Sequence, residues 1–69
     1  MSEDDLVLDA EARRRFRHDL RTPLTIVAGF AELLAGEQPL SDEQRRDFAR
    51  RIVSAADEMR ETLAATEER

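Results

Sequence analysis

The sequence predicts an all-α fold, an antiparallel two-helix hairpin that pairs with a second copy of itself as a homodimeric four-helix bundle. Three observations carry that expectation. Apolar residues recur at helical spacing along two stretches of the chain. One break, marked by Gly36 and Pro39, separates those stretches. Each stretch offers a single apolar stripe, and two such helices enclose no core unless four come together.

Helix 1 is expected over about residues 10–35. Phe16, Leu20, Leu24, Val27, Ala31 and Leu34 follow steps of 4, 4, 3, 4 and 3. At about 100° per residue they fall within an arc of about 80°, the width of a core stripe. Ile26, Phe30 and Leu33 flank it. The acidic segment 1–9 sets no clear period with Leu6, Val7 and Leu8, and reads as a frayed extension of helix 1 or the end of an upstream signalling helix.

The loop is expected over residues 36–41. Gly36 suits a helix C-terminus in the left-handed conformation, with proline shortly beyond it. Ser41 then reads as an N-cap, and Gln44 three residues later completes a capping box. Asp42 and Glu43 place negative charge where the dipole of helix 2 favours it. Helix 2 is expected over about residues 42–67, with Phe48, Ile52, Ala55 or Ala56, Met59 and Leu63 as its stripe. Residues 10–69 thus form one domain, ending in strong helix formers without a cap, as a piece cut from a longer protein would.

Size and composition point the same way. Ordering 69 residues costs roughly 100 kcal/mol at about 1.5 kcal/mol each, and much of the 41% hydrophobic fraction is alanine, which buries little area. There is no cysteine to staple the fold. A small chain without disulfide or metal commonly completes its core by oligomerising. The net charge of −5 argues against nucleic acid as a partner. No apolar run approaches the roughly 18 residues that would insert in a membrane, and the lack of cysteine fits a cytoplasmic setting.

The one histidine is His18. It lies roughly 200° around the helix from Phe16, pointing away from the stripe, with Arg14, Arg21, Thr22, Thr25, Gly29 and Glu32 on the same outer side. An exposed imidazole is largely neutral near pH 7 and keeps one ring nitrogen free as a nucleophile. Pro23 lacks an N–H and crowds the carbonyl of Asp19, so a bend just after His18 is expected. Gly29 destabilises a helix by about 1 kcal/mol relative to alanine, which suggests a close approach by another helix. Arg13, Arg14, Arg15 and Arg17 form a basic cluster suited to an anionic phosphate or an acidic surface.

The run His18-Asp19-Leu20-Arg21-Thr22-Pro23-Leu24 resembles the H-box of sensor histidine kinases of the HisKA type, and the likeness continues through Thr25 and Gly29 to Ala31-Glu32-Leu33-Leu34. With the capped second helix it covers nearly the whole chain from Phe16. Arg17 departs from the pattern, in which a small residue usually precedes the histidine, and Asp19 stands where glutamate is commoner. The resemblance implies a dimerisation and histidine-phosphotransfer domain. His18 would accept the γ-phosphoryl group of ATP, Asp19 would orient the imidazole as a base, and Thr22 would position water for phosphatase action on a response regulator. Arg14, Arg21, Thr25 and Gly29 would dock that regulator.

The same resemblance implies the partners. These are a second copy of the chain, the ATP-binding catalytic domain of the same kinase and a response-regulator receiver domain. This segment is expected to bind no cofactor and to be inactive alone; ATP and Mg²⁺ would come through the catalytic domain and the regulator. The parent kinase is expected to be a cytoplasmic protein or to carry its membrane anchor elsewhere. Two rivals stand beside this reading, a non-phosphorylated dimerisation and docking module and a phosphorelay intermediary that naturally lacks the ATP-binding domain.

Overall fold

Two helices account for the structure. The computed structural model describes the backbone of residues 3–67 and the side chains of residues 10–65. Helix α1 runs Glu3–Ala35 and helix α2 Asp42–Glu67, and the short connection packs them side by side as a hairpin. Residues 3–9 are helical and continuous with α1, because acidic residues suit a helix N-terminus and nothing before Pro23 breaks the run. Whether those residues belong to an upstream signalling element concerns side chains outside the described ones.

The start of α2 follows from its cap. The Ser41 N–H donates to Oε1 of Gln44 at 2.9 Å, and the Gln44 N–H donates to Oγ of Ser41 at 3.0 Å. This reciprocal pair is the capping box that the spacing predicts, and it satisfies two backbone donors that a helix start would leave open. The end of α1 differs from expectation. Gly36 does not adopt a left-handed conformation; no glycine among the described residues has a positive φ. Instead the chain bends over residues 36–38 and leaves through Pro39, so proline and the bends do the turning that a left-handed glycine would have done.

Packing between the helices sorts the apolar stripe of α1 differently from its periodicity. Phe16, Leu20, Val27 and Phe30 are half-buried and Pro23 is buried, whereas Leu24, Ala31 and Leu34 are exposed, Leu24 by 55%. On α2, Phe48, Ile52, Ala56, Met59 and Thr62 are half-buried and Ala55 is only 3% exposed, but Leu63 is 46% exposed. The Phe30 and Phe48 rings meet with centroids 5.1 Å apart, tilted by 40°, a favourable offset arrangement. The small side chain of Ala55 lets α1 approach closely at the centre.

The stripe is therefore one arc of which only part meets α2. Its Pro23 and Phe30 side meets α2, and its Leu24 and Ala31 side is left over. Successive residues of two antiparallel helices rotate in opposite senses, so the leading flanks of α1 and α2 come to the same side of the hairpin. Leu24, Ala28 and Ala31 thus share one face with Ala49, Val53 and Leu63, all exposed. Val53 is 59% exposed.

A hairpin of 57 × 20 × 11 Å cannot enclose a core. Its Cα radius of gyration is 16.8 Å, against about 11 Å for a compact domain of this length. The accessible surface is 6159 Å², while a compact monomer of this mass would show about 4,400 Å². The excess is of the order that each protomer of an obligate dimer buries.

Candidate functional site

The outer face of α1 carries the site. Phe16 and Pro23 turn toward α2, so the helical period points His18 the other way, and its side chain is exposed. Asp19, Arg21, Thr22, Thr25 and Gly29 are exposed as well. Viewed down the helix, Thr22 and Gly29 lie between His18 and the groove that α1 forms with α2. Arg14 and Arg21 lie on the other side of His18.

No hydrogen bond joins Asp19 to His18 among the described residues; adjacent positions on a helix diverge by about 100°. Asp19 is nevertheless the nearest carboxylate in sequence, the only one between Glu11 and Glu32. Reaching Nδ1 requires a rotamer that swings across the helix surface.

Two threonines divide their roles. Thr25 Oγ1 donates to the carbonyl of Arg21 at 2.9 Å, a back-bond that restrains its side chain. Thr22 makes no such bond to the carbonyl of His18, and its hydroxyl is free among the described residues. It sits one turn beyond the imidazole, where a hydroxyl can hold a water. Thr25, expected at a docking surface, therefore offers a partner its methyl group more than its hydroxyl.

Pro23 stands inside α1, yet the helix continues through it to Ala35. Proline removes one intrahelical bond at the turn that carries His18, and its ring is buried against α2. The residue expected to bend the helix is also a packing residue, which its apolar ring at the right register could have indicated. A Cβ built on Gly29 meets nothing within 4 Å. No contact within the hairpin therefore requires glycine at this position.

Sequence reasoning missed one feature beside the site. Ile26, Phe30, Arg51, Ser54 and Glu58 line a shallow cleft of about 330 Å³ between the helices, on the flank of Thr22 and Gly29. The Arg51 guanidinium lies 5.5 Å from the centre of the Phe30 ring and bonds Asp47 Oδ2 at 3.0 Å. The signal in the sequence is the pair Ile26 and Phe30, four residues apart on the flank of the stripe.

A family model described as the His Kinase A (phospho-acceptor) domain matches residues 14–66. The chain belongs to the HisKA family. As a HisKA domain it is of the phospho-acceptor type found in histidine kinases. It is similar to the cell-division control histidine kinases PdhS of Brucella ovis, Brucella canis and Brucella suis, each 42% identical over 40 residues. That alignment covers 55% of this chain and 4% of each relative, so the HisKA chain spans a small part of those proteins. No solved structure matches it significantly. Among the described residues, no helix is long and apolar enough to cross a membrane.

Proposed function

We propose that this HisKA domain accepts the γ-phosphoryl group of ATP on His18 and passes it to an aspartate of a response regulator. The observation that carries the proposal is the exposed imidazole, turned away from the hairpin's packed side within a matched phospho-acceptor segment. Neutral Nε2 attacks the γ-phosphorus of ATP held by the kinase's own catalytic domain, the bond to the β-phosphate oxygen breaks and ADP leaves. The ring becomes an imidazolium as the new bond forms, and the Asp19 carboxylate accepts a hydrogen bond from Nδ1–H, holding the tautomer and stabilising that charge. In the second step a regulator carboxylate attacks the phosphorus, and the P–N electron pair returns to Nε2. Positioning and electrostatics supply most of the catalysis in such transfers.

The regulator docks along the flank that carries Thr22, Gly29 and the Ile26–Phe30 cleft. There the glycine leaves room for an incoming backbone, and Arg14, Arg21 and Thr25 border the contact. Thr22 then holds the water that hydrolyses the regulator's acyl phosphate, giving the domain a phosphatase role. Mg²⁺ enters through the regulator and the ATP-binding domain.

The test supplies ATP labelled in its γ-phosphate together with a HisKA-kinase catalytic domain, then a receiver domain. Acid-labile, alkali-stable label is expected on the chain, absent in His18→Gln and moving to the receiver in the presence of Mg²⁺. Label that persists in His18→Gln, or none on the parent chain within its intact kinase, contradicts the proposal; the second result would leave a docking module.

A further inference from the structure

We infer that Arg14, Arg15 and Arg21 form a phosphoryl cradle around His18, drawing the anionic donor in and prolonging the life of the phosphohistidine. The inference rests on His18 carrying a phosphoryl group, and it concerns what holds that group once it is there.

On a helix surface the neighbours of a residue are those three and four positions away, with Cβ atoms about 5–6 Å apart. For His18 these are Arg14, Arg15, Arg21 and Thr22. Three of the four positions that ring the imidazole are therefore guanidinium groups, and the fourth is a free hydroxyl. All four are exposed. Among the described residues none of the three arginines is paired with a carboxylate; the ion pairs there are Arg51 with Asp47 and Arg60 with Asp57.

Charge is concentrated here against the trend of the chain. Residues 13–21 hold five arginines and one carboxylate, Asp19, while the whole chain is at −5. Several of these arginines also stand at like-charge spacings, Arg13 and Arg14 each with Arg17, and Arg17 with Arg21. Such pairs destabilise a helix; although Glu11 stands three and four residues before Arg14 and Arg15, no ion pair among the described residues engages either of them. α2 packs on the opposite side of α1, and none of its described carboxylates pairs with these arginines. A doubly charged phosphoryl group on Nε2 would be the missing counter-ion, and guanidinium is well suited to it because its forked N–H groups match phosphate oxygens.

The cradle acts on lifetime through the ground state. Hydrolysis breaks the P–Nε2 bond, with water taking the phosphorus and the electron pair returning to Nε2. Guanidiniums paired with the phosphoryl oxygens stabilise the phosphohistidine through charge-assisted hydrogen bonds and so slow its loss to water.

Phosphoramidate provides the test, since it transfers its phosphoryl group to an accessible imidazole with release of ammonia and needs no kinase. The chain and its Arg14→Gln/Arg15→Gln variant are labelled, and the decay of label is followed at pH 7 and low ionic strength. The variant is expected to take up label more slowly and to lose it about threefold faster, the scale of one or two exposed ion pairs. The gap should close near 1 M salt, where the screening length falls to about 3 Å. Arg14→Lys/Arg15→Lys keeps the charge but loses the fork and should fall between the parent and the Gln variant. Equal uptake and decay in parent and Gln variant, a gap that survives high salt, or a Lys variant as short-lived as the Gln one overturns the cradle. So does a parent chain that phosphoramidate does not label. A kinase assay that fails to label His18 from ATP would instead sink the phosphoacceptor reading and leave this comparison readable.

Discussion

Replacing Leu24 by alanine separates the two faces that meet on α1. The substitution removes three carbon groups, worth about 2.4 kcal/mol when fully buried at roughly 0.8 kcal/mol each. Leu24 is 55% exposed in the hairpin, so a dimer that covers this face would gain about 1.3 kcal/mol from it per protomer. Two copies make about 2.6 kcal/mol, which at 1.36 kcal/mol per tenfold weakens dimerisation roughly eightyfold. Ile26→Ala is the control. Ile26 is 38% exposed, a residue of similar size but on the opposite flank, beside Arg51 and Glu58. Sedimentation equilibrium over a range of concentrations measures both. The reasoning requires a large rise in the dimer dissociation constant for Leu24→Ala and little change for Ile26→Ala. An unchanged constant for Leu24→Ala, or equal effects of the two, refutes the placement of the dimer face.

Three further outcomes follow from the geometry. Ser41→Ala removes one half of the reciprocal cap with Gln44 and should cost about 1 kcal/mol, read as a fall of roughly 4–8 °C in Tm by circular dichroism. Gly29→Ala meets no atom of the hairpin and should raise helix stability by up to about 1 kcal/mol while slowing transfer from His18 to a receiver domain; faster or equal transfer would remove glycine from the docking surface. Thr22→Ala should keep labelling of His18 and lose regulator dephosphorylation, which stopped-time assays of a phosphorylated receiver would show.

Much of this molecule was legible in its sequence, for reasons that differ by element. The capping box was readable because its two partners are local, three residues apart. The outward direction of His18 was readable because Phe16 fixes the inward one. The inner face was harder. Periodicity gives the width of an apolar arc but not which half meets which neighbour, so Leu24 was placed in the core where Pro23 and Phe30 stand. Pro23 signals its backbone effect in the sequence, but its burial depends on the tertiary register of α2. Gly36 stands where a left-handed helix end is common, at the close of a periodic stretch with proline shortly beyond, yet the chain turns through residues 36–38 and Pro39 without a positive φ. Thr25 and Thr62 each back-bond to the carbonyl four residues before them, which a motif does not announce, since a hydroxyl's choice of carbonyl depends on its rotamer.

Mass-spectrometric mapping of the intact parent kinase after brief exposure to ATP, under neutral or alkaline handling that preserves P–N bonds, addresses the central claim most directly. One phosphoryl increment located on His18 is the predicted result. An increment confined to a serine, threonine or aspartate of the chain, with His18 unmodified, would contradict it.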